Sequence, residues 1–173
     1  MKTAYDLPGT GTVLVTIPPN GPGLANEINA INRLKTAGIP VANILDVGNY
    51  HGSEAMVMEK FAEVLKPLRL DASDVEDLVN SKLANHRTLD SLIEIRNAIA
   101  REKVVILDLQ FGIRGSSKPN FVNLGHKPGS LAVLDPLRIS ASEEGFDNES
   151  QLEVLDELIV TLRKKLNSAK LAA

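Results

Sequence analysis

The chain has no cysteine and no tryptophan. The first absence excludes disulfides, thiol catalysis and cysteine zinc sites. Aromatic residues are scarce, two Tyr and four Phe making up 3% of 173 residues. The core is therefore expected to be aliphatic, built from Leu, Ile, Val and Ala. Positive charge is not in excess: 19 Lys and Arg against 22 Asp and Glu give a net charge of −3. No clustered basic stretch is visible, so nucleic acid is not an expected partner. No apolar run approaches the roughly 20 residues that span a bilayer. Met1-Lys2-Thr3-Ala4-Tyr5-Asp6 lacks the apolar core of a signal peptide. The expectation is a soluble protein of the bacterial cytoplasm, or one secreted into a target cell without a signal peptide of the usual kind.

What is present suits a globular α+β domain: 43% hydrophobic and 24% charged residues. Val13–Ile17 is a β-branched run between Gly and Pro clusters and predicts a strand. Leu24, Ile28, Ile31 and Leu34 recur at helical spacing and predict a helix over Leu24–Thr36, stopped by Gly38 and Pro40. Ala42–Val47 and Glu54–Glu59 read as two strands joined by a hairpin loop longer than the tightest types. Phe61–Leu70, broken by Pro67, reads as irregular. Ala72-Ser73-Asp74 can cap a helix running to about Leu83. Leu89–Glu102 carries a wide apolar stripe and predicts a well-buried helix. Val104–Leu107 and Leu131–Leu134 are compact apolar runs. Between them, Phe111–Gly129 reads as loop with one short strand at Phe121–Leu124, and Ser140–Asn148 as an acidic surface loop. The last helix is expected over Glu149–Asn167, with Leu152, Leu155, Ile159, Leu162 and Leu166 on one face.

The chemistry-bearing feature is a pair of acids, Asp108 and Asp135, each ending an apolar run. A strand that delivers a carboxylate at its end holds it on a rigid support, suited to binding a divalent cation or orienting a hydroxyl. The plainer reading is that each Asp begins a turn, as Asp before Pro often does. The three histidines, His51, His86 and His126, are scattered and suggest no metal site. Asn20-Gly21-Pro22-Gly23 reads as a loop, with an anion cradle at the following helix as the alternative.

Three motifs in order carry a family resemblance: Leu34-Lys35-Thr36-Ala37-Gly38-Ile39-Pro40-Val41, Ile106-Leu107-Asp108-Leu109-Gln110-Phe111 and Leu134-Asp135-Pro136. Their order and spacing, over roughly residues 20–140, resemble the minimal effector kinases of the HopBF type from plant-associated bacteria. The resemblance implies one minimal bilobal kinase-like domain over residues 1–173, with a reduced N-lobe sheet to about residue 60 and a mostly helical C-lobe beyond it. It implies ATP and Mg²⁺ as cofactors and a protein substrate, a host heat-shock chaperone being the family's known target class. Asp108 falls at the catalytic-loop acid and Asp135 at the metal-binding acid. Glu27 falls at the helix glutamate that pairs with the phosphate-binding lysine, and a dipole-favoured surface acid is its alternative. Met58 falls at the gatekeeper, and Glu59 to Phe61 at the adenine-binding hinge.

The chain departs from kinase patterns at named positions. Thr16 stands where the strand lysine belongs, so Lys2, Lys35, Lys60 or another cation has to reach the phosphates. Ile113 stands where the catalytic-loop Asn belongs, so Gln110 is the candidate for metal or phosphate, or else a hydrogen bonder supporting the loop. Gly9-Thr10-Gly11 is only a fragment of a Gly-rich loop, and no His-Arg precedes Asp108. These departures keep a second class open, a pseudokinase used for binding. A third is a metal-dependent hydrolase or nucleotidyltransferase, for which no third acid is evident.

Overall fold

The computed structural model describes residues 2–21, 23–115, 126–134, 139–140 and 147–171. The expected strand at Phe121–Leu124, the acid Asp135 and the loop 141–146 lie outside the described residues.

An antiparallel sheet is formed by β1 (Thr3–Leu7), β2 (Thr12–Thr16), β3 (Ile44–Tyr50) and β4 (Ser53–Glu59), in the order β1-β2-β4-β3. Gly9 and Gly11, both at positive φ, turn β1 into β2, so the Gly9-Thr10-Gly11 fragment is a hairpin turn. The β3–β4 connection is tighter than its sequence suggests. Tyr50 faces Ser53 across a two-residue turn, with His51 at φ 49 and Gly52 at φ 80. Positive φ at both central positions matches the right-handed twist of the flanking strands.

Between β2 and β3 lies α1 (Leu24–Thr36), with Ile31 and Leu34 buried as their spacing predicts. Its first turn needs no external anion, because the Glu54 carboxylate accepts from the Leu24 N–H at 2.8 Å. Gly38 at φ 74 lets the chain reverse after the helix, and Arg101 donates to the Ala37 carbonyl at 2.6 Å.

The rest of the chain builds the larger core. β5 (Glu63–Leu65), β7 (Gln110–Ile113) and β8 (Leu131–Leu134) form a second sheet in the order β5-β7-β8. β6 (Val105–Ile106) pairs with β9 (Ile139–Ser140). Of the helices, α2 (Ala72–Asn80) starts at Asp71, which forms a capping box with Asp74. α3 (His86–Glu102) starts three residues before the expected Leu89, capped by Asn85. α4 (Asn148–Leu171) packs on both, with Leu155, Ile159, Leu162 and Leu166 buried.

Apolar burial falls into two clusters. The larger joins α2, α3, α4, β7 and β8, with Leu92, Ile95, Ile99, Phe111 and Leu155 at its centre. The smaller holds Val15, Ile17, Ala42, Met56 and Met58. Two seams stitch them together. Val41 bridges Val133 in parallel, with Ala42 N–H donating to Val133 O and Val133 N–H to Pro40 O. The second seam runs from Glu59 to Arg114.

Candidate active site

A cavity of about 320 Å³ lies where the two clusters meet. Val13, Val15, Met56 and Met58 line its sheet side, Val133 and Leu134 the opposite side. Lys2, Glu27 and Phe61 complete the wall. A larger groove of about 690 Å³ lies elsewhere, between α2 and α4, and holds none of the expected site residues.

Glu27 is on the inner face of α1 and 1% exposed, so it is not a surface acid. The Lys2 amine forms an ion pair with its carboxylate. The pairing of Thr3 with Thr16 explains how. β1 returns antiparallel beside β2, so the residue preceding Thr3 arrives at the end of β2, where Thr16 stands. A buried carboxylate requires such a partner, because desolvation penalises an unpaired charge.

Met58 is buried in β4 and faces Val13 and Ile44. The next residue, Glu59, also lines the cavity, but its carboxylate is engaged by protein groups. Its carboxylate takes a bidentate pair from Arg114, Nε at 2.9 Å and Nη2 at 2.7 Å. It also accepts from the Asn43 backbone N–H at 3.0 Å and from Asn43 Nδ2 at 2.9 Å. Both ionic side chains are buried, at 9% and 7% exposure. In this segment two backbone donors are already used: Glu59 N–H donates to Asn43 O and Lys60 N–H to Gly11 O. The Phe61 N–H has no acceptor among the described residues. Lys60 itself pairs with Asp6 at 2.7 Å. The Phe61 ring covers Gly112, where a Cβ would stand 2.3 Å from Phe61 Cγ, and the Arg114 guanidinium lies 5.6 Å from the ring centroid. His126, near Asn43 at 3.1 Å, is held below its ordinary pKa by desolvation and by the Arg114 charge, with Glu59 opposing.

Asp108 sits in the turn between β6 and β7 at φ 51, a left-handed conformation that Asp tolerates better than most residues. Its carboxylate is 66% exposed and lies 4.0 Å from Lys66 Nζ. Gln110 Nε2 donates to Asp108 Oδ2 at 2.8 Å, so Gln110 supports the turn. Register ties this turn to the cavity, since Gln110 faces Leu134, a cavity-lining residue directly before Asp135 in the chain. Ile113 is fully buried opposite Leu131 and is a core residue. Behind the turn, Gln151 accepts from the Ile106 N–H at 2.8 Å and so anchors the strand leading into it.

The structure therefore brings Glu27, Met58, Glu59 and Phe61 to one cavity and Asp108 with Gln110 to its border, while Asp135 lies outside the described residues. No cluster of three His, Asp or Glu able to hold a metal occurs among the described residues. No described helix is long and apolar enough to cross a membrane. Sequence reasoning missed Arg114 and Lys66. Arg114 carried a signal, a lone charge closing the apolar strand Phe111-Gly112-Ile113, but Lys66 carried none.

No curated protein matches the chain. A family model described as the type III secretion system effector HopBF1 kinase domain matches residues 9–166. With its motifs in order and that match covering most of its length, the chain belongs to the HopBF1 family of effector kinase domains.

Proposed function

We propose that the chain is a minimal, bilobal protein kinase, an effector that transfers the γ-phosphoryl group of ATP to a hydroxyl of a target protein. The observation that carries this reading is the Lys2–Glu27 ion pair at the cavity wall. It returns the cation that Thr16 lacks, held by the same acid that the kinase pattern requires. The two apolar clusters are then the two lobes, with the cavity between them as the nucleotide site.

The apolar walls at Val15, Met56 and Val133 suit an adenine ring, and the open Phe61 N–H is the hinge donor. Lys2 contacts the phosphates. Asp108 orients the acceptor hydroxyl and takes its proton, and Gln110 holds Asp108 in place. Asp135 and Gln110 would hold Mg²⁺, which neutralises phosphate charge when bound. Positioning and electrostatics supply the catalysis. A host heat-shock chaperone is the target class we carry over from the family.

The test is label transfer from γ-³²P ATP into proteins of a eukaryotic lysate, with wild type, Asp108→Ala and Asp135→Ala. Transfer by wild type and loss in both variants supports the reading. Transfer that survives both substitutions refutes it. ATP binding without transfer, seen as a raised melting midpoint in wild type, identifies a pseudokinase instead.

A further inference from the structure

The exposed cluster at the border of the cavity contains a cation that no motif announced. Lys66 Nζ lies 4.0 Å from Asp108 Oδ1. The mount of this lysine is rigid although its amine is in solvent. Leu65, directly before it, is 6% exposed and registers with Phe111 in the β5–β7 ladder. Pro67, directly after it, is buried and opens a short 3₁₀ turn, which keeps Lys66 extended at φ −114, ψ 96. The backbone of Lys66 is thus fixed on both sides, and its side chain is aimed at the residue proposed as the base.

An exposed pair of this kind contributes little to folding. Its place matters more. The turn carrying Asp108 offers no cation of its own: Leu109 and Gln110 follow the acid. Of the other lysines near the cavity, Lys2 pairs with Glu27 and is assigned above to the nucleotide phosphates, and Lys60 pairs with Asp6. A phosphoryl group in flight spreads negative charge over three oxygens next to the attacking hydroxyl, and a cation aimed there strengthens as the charge develops.

We propose that Lys66 is a further catalytic residue, contacting the γ-phosphoryl group during transfer to the hydroxyl held by Asp108. The inference rests on the kinase reading above. The acceptor oxygen forms a bond to Pγ while the bond from Pγ to the bridging oxygen of ADP breaks. The hydroxyl proton passes to the Asp108 carboxylate, ADP departs with the bridging oxygen, and no electron is gained or lost. Lys66 neutralises charge and exchanges no proton.

The experiment compares wild type, Lys66→Ala and Lys66→Arg. Initial rates of label transfer into a fixed amount of lysate protein are measured over a range of ATP concentrations. The melting-midpoint shift with Mg²⁺ and ADP, which lacks the γ-phosphate, is recorded alongside. Lys66→Ala is expected to lower the maximal rate about 100-fold. Half-saturating ATP should stay within about threefold, and the ADP shift and the unliganded midpoint within about 2 °C of wild type. Arg keeps a cation at the site and should restore at least about a tenth of the rate. A rate loss below about tenfold in Lys66→Ala, or an ADP shift lost along with the rate, overturns the proposal. A wild type that transfers nothing refutes the kinase reading itself, and is seen before any Lys66 variant is examined.

Discussion

Glu27 lines the cavity and Asp108 stands on the turn at its border, and the two acids have opposite surroundings. Glu27 is 1% exposed and paired with Lys2, on a helix held at both ends. The Asp108 carboxylate is 66% exposed, in a strained turn, with a hydrogen bond from Gln110 and a cation at 4.0 Å. The buried charges, Glu27 with Lys2 and Glu59 with Arg114, set the shape of the cavity. Each is held by its ion-pair partner, and in the proposed reading only the Lys2 amine also meets the nucleotide. The exposed cluster contributes little to folding, and its carboxylate is the one proposed to meet a substrate hydroxyl. In a chain this short, architecture and chemistry are thus divided between buried and exposed charge.

The largest effect on stability should come from the buried side. Glu59→Ala leaves the Arg114 guanidinium desolvated and unpaired, and should cost about 3–5 kcal/mol in chemical denaturation. Replacing both partners by apolar residues should recover most of that loss. A cost below about 1 kcal/mol for the single variant would show that the Glu59–Arg114 seam is not held by charge.

A steric change tests the same seam more gently. Gly112→Ala drives a methyl into the Phe61 ring and should destabilise by about 1–3 kcal/mol. It should also weaken ATP, because the ring and the proposed hinge N–H belong to one residue. Unchanged nucleotide affinity would detach Phe61 from binding.

On the exposed side the pattern should invert. Asp108→Asn keeps a side chain that tolerates positive φ and should alter stability by less than about 0.5 kcal/mol. Transfer should nevertheless fall to background.

The smallest effect concerns pH. His126 is depressed in the folded chain, by desolvation first and the Arg114 charge second, so the unfolded chain binds the proton more readily. Its contribution is complete above the ordinary imidazole value of 6.5 and is lost as pH falls below it. His126→Gln should flatten the stability–pH curve slightly in that window, and an unchanged slope would remove His126 from the seam.

Much of this arrangement was legible in the residues. The helical spacing of Ile31 and Leu34, the stripe of α3 and the two apolar runs before the acids all reappear. Four strands were not legible, each for a physical reason, the shortest being β9 with two residues. β1 is an edge strand whose side chains are almost all exposed, so it shows no apolar alternation. β5 has three residues and only Leu65 buried. β7 contains Gly112, which reads as a loop residue but is required because the Phe61 ring lies against it. The β3–β4 turn hid for a similar reason, with His51 taking a positive φ that its residue type does not advertise. At the site, Glu27 was placed by the family resemblance, with a surface acid as the alternative, and neither its burial nor the selection of Lys2 among the candidate lysines was legible. Both depend on β1, whose register only the fold supplies.

The most direct test of this division is label transfer from γ-³²P ATP at saturating nucleotide, by wild type, Lys2→Met and Asp108→Asn side by side, with the ATP-induced midpoint shift recorded for each. The account predicts transfer by wild type alone. It further predicts that Asp108→Asn keeps the wild-type ATP shift and that Lys2→Met loses most of it. Undiminished transfer by either variant, or an ATP shift lost in Asp108→Asn and kept in Lys2→Met, would contradict it.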